Sequence, residues 1–192
     1  MGEFQRIRPF KILSVVMVTI AVVLTVVSLA GPDWVTASFY EGDVKSWGLW
    51  WDCLKVHTSF EMCLSADWLA GCAALVFLSL IADVIGAALG IWGLISKRRM
   101  PYIFAGTVCI ISCVCMIVSL IIYPVMFTNE VTSNADYNAE TSDFEFSWTF
   151  GVACGTVFFL MGAAIFFFIR VTEEEDAQPM KSVQDKSYYS VN

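Results

Sequence analysis

Few residues of this chain are placed to do chemistry, and the most pointed are two cysteines ten positions apart, Cys53 and Cys63, with the single histidine, His57, between them. A metal site usually takes four ligands. One histidine and one cysteine pair fall short of that, no nucleophile stands beside a base in a recognised arrangement, and no glycine-rich phosphate cradle occurs. The expectation is a protein that is not an enzyme, with no catalytic residue, no metal and no cofactor. What remains for Cys53 and Cys63 is a disulfide, provided that they face an oxidising compartment. In the chain-entropy account, closing a loop of that size stabilises by roughly 2–3 kcal/mol. The other reactive-looking group is Asp83, alone near the middle of a long apolar run.

The elements that would hold these residues are set by composition. The 192 residues are 58% apolar and 15% charged, with mean hydropathy +0.70, whereas soluble domains carry about 25% charged residues. Lipid is the expected solvent. About 20 apolar residues cross the hydrocarbon core as a helix, and the sequence predicts helices over 10–30, 69–95, 102–127 and 147–170. These make residues 1–172 a four-helix membrane domain, followed by a polar, disordered tail over 173–192.

Orientation follows the lysines and arginines flanking the spans. Arg6, Arg8 and Lys11 precede the first, Lys97-Arg98-Arg99 fill the second connection, and Arg170 follows the last. Both termini are therefore expected in the cytosol, with loops 31–68 and 128–147 outside. Ser28-Leu29-Ala30 fits a signal-peptidase site, but the apolar run before it is longer than the usual stretch of about 7–15 residues. Retention is the expectation, and the later spans keep their orientation either way.

An outer loop of nearly forty residues is too long to be structureless. Aromatic and β-branched runs predict strands near 34–40, 45–53 and 60–64, with Glu41-Gly42-Asp43 as a turn. Neither outer loop carries an Asn-x-Ser/Thr acceptor. Within the spans, Ala82, Gly86 and Gly90 recur every four residues, as do Gly151 and Gly155, the small-residue spacing that lets helices approach closely. Asp83 at that depth should face protein or a water cavity. It marks either an ion path or a hydrogen bond to a neighbouring helix, such as the one carrying Ser14, Thr19 and Thr25. The second is favoured because no other intramembrane charge exists to form a relay.

Trp34 just past the first helix, then Gly48-Leu49-Trp50, then Cys53 and Cys63, resemble the signature of the claudin, peripheral myelin protein and epithelial membrane protein superfamily. The likeness spans the ordered chain. Leu49-Trp50-Trp51-Asp52-Cys53, Ser119-Leu120-Ile121-Ile122-Tyr123-Pro124-Val125 and Phe146-Ser147-Trp148-Thr149-Phe150-Gly151 look most similar to the branch containing PERP and the brain cell membrane protein. The resemblance implies a left-handed four-transmembrane-helix bundle with a small extracellular antiparallel β-sheet from the first outer loop. It also implies a place in the plasma membrane at cell–cell junctions.

Three positions differ from tight-junction claudins. Leu54 stands where pore-forming members often carry a charge, Cys72 where an arginine usually opens the second helix, and Val191-Asn192 ends the chain without the apolar residue that a PDZ groove binds.

The resulting expectation is a non-enzymatic junction or adhesion protein acting through its outer loop. Its partners would be membrane lipid and other membrane proteins, in the same or the apposed membrane, copies of itself included; nucleic acid is not among them. Two other classes stay open. One is a paracellular or membrane channel component, for which Asp83 or the acidic loops would matter. The other is an auxiliary subunit of a channel complex.

Overall fold

The computed structural model describes residues 9–39, 44–50, 53–56, 60–63, 66–96, 100–133 and 142–189. Four helices dominate: α1 (Pro9–Ala30), α2 (Ala66–Ser96), α3 (Met100–Ser133) and α4 (Trp148–Tyr189). Each contains a stretch long and apolar enough to cross a membrane, namely Ile12–Ala30, Asp67–Ser96, Met100–Glu130 and Trp148–Ile169. They pack in a ring, α1 against α2 and α4, and α3 against α2 and α4. Lipid tails are as apolar as leucine, so association rests on close packing and on hydrogen bonds between helices.

Five short strands sit at one end of this ring: β1 (Val35–Phe39), β2 (Val44–Trp47), β3 (Cys53–Val56), β4 (Phe60–Cys63) and β5 (Ser142–Phe146). One antiparallel sheet has the order β2-β1-β5 and a second pairs β3 with β4. In the first, Val35 lies opposite Trp47 on one side and Phe146 on the other. In the second, Cys53 lies opposite Cys63. The strands form a cap at this end of the bundle, the cap end.

Several elements differ from the sequence reading. The sheet is not drawn from the first connection alone, because β5 comes from the second and lies against the central strand. Its alternation of polar and aromatic residues, Ser142-Asp143-Phe144-Glu145-Phe146, suits a strand with one covered face. The third helix does not end near Phe127; it carries Pro124 inside and runs on to Ser133. Residues 173–189, read from composition as a disordered tail, continue α4. Extending a formed helix needs no new nucleus, and Glu173-Glu174-Glu175 are good helix formers.

Candidate functional site

The cap is seated on the bundle by aromatic side chains whose polar handles are tied to backbone carbonyls. Gly31 closes α1, its N–H donating to the Val27 carbonyl at 2.9 Å, and Pro32 keeps the helix from continuing. The chain then turns so that Trp34 is fully buried. Its indole N–H donates to the Ser28 carbonyl at 3.0 Å. Its ring meets Tyr123 of α3 at 4.9 Å and Phe150 of α4 at 5.6 Å. One side chain thus touches two helices and caps a carbonyl of a third.

Trp47 of β2 adds a second buried ring, but its indole N–H has no hydrogen-bond partner among the described residues. It is fully buried, with Phe127 of α3 at 5.9 Å and Phe144 of β5 at 6.2 Å. Its carbonyl accepts from the Trp34 N–H at 2.7 Å and from the Tyr123 hydroxyl at 3.3 Å. The adjoining Gly48 and Leu49 are buried too. A Cβ on Gly48 would run into the Pro32 carbonyl oxygen, with the Pro32 carbonyl carbon at 2.9 Å. The Gly48-Leu49 pair is therefore fixed by a close approach of two backbones.

Trp50 behaves differently from Trp34. It is 58% exposed, yet its indole N–H donates to the Leu29 carbonyl at 2.6 Å. The ring is held while its face stays open. Phe146, 54% exposed, and Trp148, 60% exposed, lie where β5 passes into α4. Phe146 stacks on Phe150 at 4.6 Å, and Ser147 bridges back to the first connection, its hydroxyl 2.7 Å from the Asp33 carboxylate. On the other side of the ring, the Trp68 indole N–H donates to Glu130 at 2.6 Å, tying the start of α2 to the end of α3.

The disulfide expected between Cys53 and Cys63 concerns side chains outside the described residues. The backbone register sets the two residues directly opposite each other. Opposed antiparallel residues have Cα atoms about 4.5–5.5 Å apart, and disulfides bridge about 4.4–6.8 Å. His57 also lies outside the described residues.

Below the cap, Asp83 is fully buried. The Thr25 hydroxyl of α1 is 2.8 Å from one carboxyl oxygen and the Ser112 hydroxyl of α3 is 2.6 Å from the other. Of the hydroxyls expected on α1, Thr25 reaches the carboxyl, whereas Thr19 bonds back to the Val15 carbonyl at 2.8 Å. Ser112 carried no signal in the sequence, since a serine in an apolar run looks the same whether it bonds across or backward.

The small-residue stripes part company. Gly86 faces Cys109 of α3 and Val18 of α1, and Gly90 faces Phe167 of α4 and Val15 of α1, within 3.0–3.7 Å of where a Cβ would lie. Ala82 beside them is half-buried. On α4 the expectation is corrected. Among the described residues, nothing lies within 4 Å of where a Cβ on Gly151 would be, and a Cβ on Gly155 meets Leu24 at 3.9 Å. The buried face of that helix is instead Ala153, Thr156, Leu160, Ala163, Ala164 and Phe167.

A seated, aromatic-rooted cap on four apolar helices is the arrangement against which known proteins can be compared. The PMP-22/EMP/MP20/Claudin family model matches residues 9–187. The chain belongs to this family. It is a multi-pass membrane protein. Among curated relatives, the zebrafish (Danio rerio) p53 apoptosis effector related to PMP-22 is 25% identical over 118 residues, which is 61% of this chain. The match covers 56% of that relative, so the chain spans little more than half of its length. Of the residues that carry the resemblance in the sequence, Trp34, Gly48 and Leu49 are buried pieces of the cap's seat, and Trp50 is its tethered, exposed ring.

Proposed function

We propose that this family member is a non-enzymatic plasma-membrane protein of cell–cell junctions, organising contacts through a cap stapled by Cys53–Cys63. One observation carries the reading: the cap is rooted in the helices by Trp34 and Trp47, yet leaves Trp50, Phe146 and Trp148 open. Tryptophan is enriched at binding hot spots, and rings already fixed lose little conformational entropy on binding. The lysines and arginines at the opposite end of the spans support a cap outside the cell and both termini inside, in a bundle of left-handed twist.

Membership of the PMP-22/EMP/MP20/Claudin family supports a membrane role at junctions or a related one. The partners of this reading are other membrane proteins, in the same or the facing membrane. The occupied oxygens of Asp83 weigh against an ion path through the bundle.

Cys53→Ser tests the reading. In an epithelial layer the variant should lose enrichment at cell borders while still reaching the membrane. Unchanged border enrichment, with the free thiol at Cys63 verified by alkylation, would refute it. Mixing expressing with non-expressing cells separates partners: enrichment confined to contacts between two expressing cells identifies a partner in the apposed membrane.

A further inference from the structure

A layer of buried polar groups crosses three helices: Thr25 on α1, Ser79 and Asp83 on α2, and Ser112 on α3. The four apolar spans contain no lysine, arginine or histidine, so Asp83 has no counter-ion there. Among the described residues, the titratable groups close to it are the thiols of Cys109 and Cys113 on α3.

The contacts in this layer can be matched to the hydrogens that make them. The Thr25 hydroxyl lies 2.8 Å from Asp83 Oδ2 and 2.9 Å from the Ala21 carbonyl oxygen. The Ser112 hydroxyl lies 2.6 Å from Asp83 Oδ1 and 2.7 Å from the Ser79 hydroxyl. Each contact needs one hydrogen, and three hydroxyls supply one fewer than these contacts require. With an ionised carboxylate, Thr25 has a single hydrogen for two acceptors, and one contact is left as bare oxygen against bare oxygen. The Ser79 carbonyl, 3.2 Å from the Ser112 hydroxyl, only adds to the demand.

A hydrogen on Oδ2 supplies the four contacts of 2.9 Å and shorter. Asp83 then donates to Thr25, Thr25 donates to the Ala21 carbonyl, Ser112 donates to Oδ1, and Ser79 donates to Ser112. Every hydrogen has one acceptor. An uncharged acid also avoids placing an unpaired charge at the depth where it costs most.

The layer also lies where it can govern the cap. Thr25 is one turn below Ser28 and Leu29, whose carbonyls hold Trp34 and Trp50. Ser112 is on the helix whose Tyr123 holds the Trp47 carbonyl. The seat of the cap therefore depends on how far α1 stands along α3, and Asp83 is bonded to both.

We infer that Asp83 is carried as a neutral carboxylic acid and, in that form, is the positioning residue that keeps α1 and α3 in register beneath the cap. The amide of Asp83→Asn offers the same acceptor to Ser112 and the same donor to Thr25; leucine offers neither.

The test uses the full chain in phosphatidylcholine nanodiscs at neutral pH. The infrared difference spectrum of wild type minus D83N should contain the carbonyl stretch of a protonated carboxyl, shifted in Thr25→Val. A carboxylate band in its place would overturn the neutral form. By thermal unfolding and tryptophan emission, D83N should match wild type, whereas Asp83→Leu and Thr25→Val should unfold at least roughly 2–4 °C lower, with emission shifted to the red. If D83N fell as far as Asp83→Leu, or if neither Asp83→Leu nor Thr25→Val changed midpoint or emission, the positioning role would be wrong.

Discussion

The two ends of the bundle are joined in different ways. At the cap end the buried set is built around four large rings, Trp34, Trp47, Tyr123 and Phe127, with Leu69 and Met116 and the smaller Cys72, Ala73 and Ala153 packed with them. At the far end it consists mostly of small residues, Ala21, Ala105, Cys109, Ala163 and Ala164, closed around Tyr102 and Phe167. The polar layer of Thr25, Ser79, Asp83 and Ser112 separates the two along α1, α2 and α3. Helices in lipid gain nothing from hiding apolar surface. At the far end close approach of the helices supplies the contact instead. At the cap end the chain leaves the helices and returns as strands, and large rings fill the space between strands and helix ends, Trp34 also reaching a backbone carbonyl.

This contrast predicts that equal-sized losses have unequal reach. Trp34→Ala should cost about 3–5 kcal/mol, the range for removing a buried aromatic. It should also strand the Ser28 carbonyl and free the cap from Tyr123 and Phe150. Phe167→Ala at the far end should cost a similar amount by cavity formation alone. Thermal unfolding should therefore rank the two together, while limited proteolysis should cut the cap quickly only in Trp34→Ala. Equal protection of the cap in both variants would erase the distinction between the ends.

The next effect in size is at Gly48. A methyl group there must displace the Pro32 backbone carbonyl, a neighbour with no rotamer to change. The expected cost of Gly48→Ala is about 1–3 kcal/mol, typical of overpacking, and it should come with increased exposure of Trp47 in tryptophan emission. A wild-type midpoint and emission would show that the two connecting backbones have room to separate.

The ease of reading these features from sequence follows from the range over which each is determined. The four spans were legible because each depends on its own apolar run, and Trp34, Gly48 and Leu49 were legible as a signature before their burial was visible. Strand β5 was missed because a five-residue acidic segment gains its structure from pairing with β1, more than a hundred residues away. The outer end of α3 was misplaced because Pro124 signals a break that the surrounding helix absorbs. For Asp83, the sequence offers hydroxyls on α1 as partners, but nothing in it separates Ser112 from the other serines of α3. Which face of a helix is buried depends on its neighbours, and a repeat of small residues is silent on that.

Gly151 and Gly155 show the consequence, and they give the smallest predicted effect. Their spacing matches that of Gly86 and Gly90, but the ring of Phe167 and a methyl of Val15 crowd Gly90, whereas a Cβ at Gly151 would meet none of the described residues. A Cβ at Gly90 would come within 3.0–3.1 Å of those side-chain tips. The overpacking cost of Gly90→Ala, about 1 kcal/mol at the low end, is offset by the replacement of a helical glycine, a gain of up to about 1 kcal/mol, and the net change should be close to zero. Gly151→Ala should be stabilising. It adds a methyl where none of the described residues must move and brings the same gain of up to about 1 kcal/mol uncancelled. The thermal midpoint of Gly151→Ala should therefore lie above those of wild type and Gly90→Ala in the same lipid. If Gly151→Ala lowered the midpoint instead, the α4 glycines would be in a contact with another molecule in the membrane.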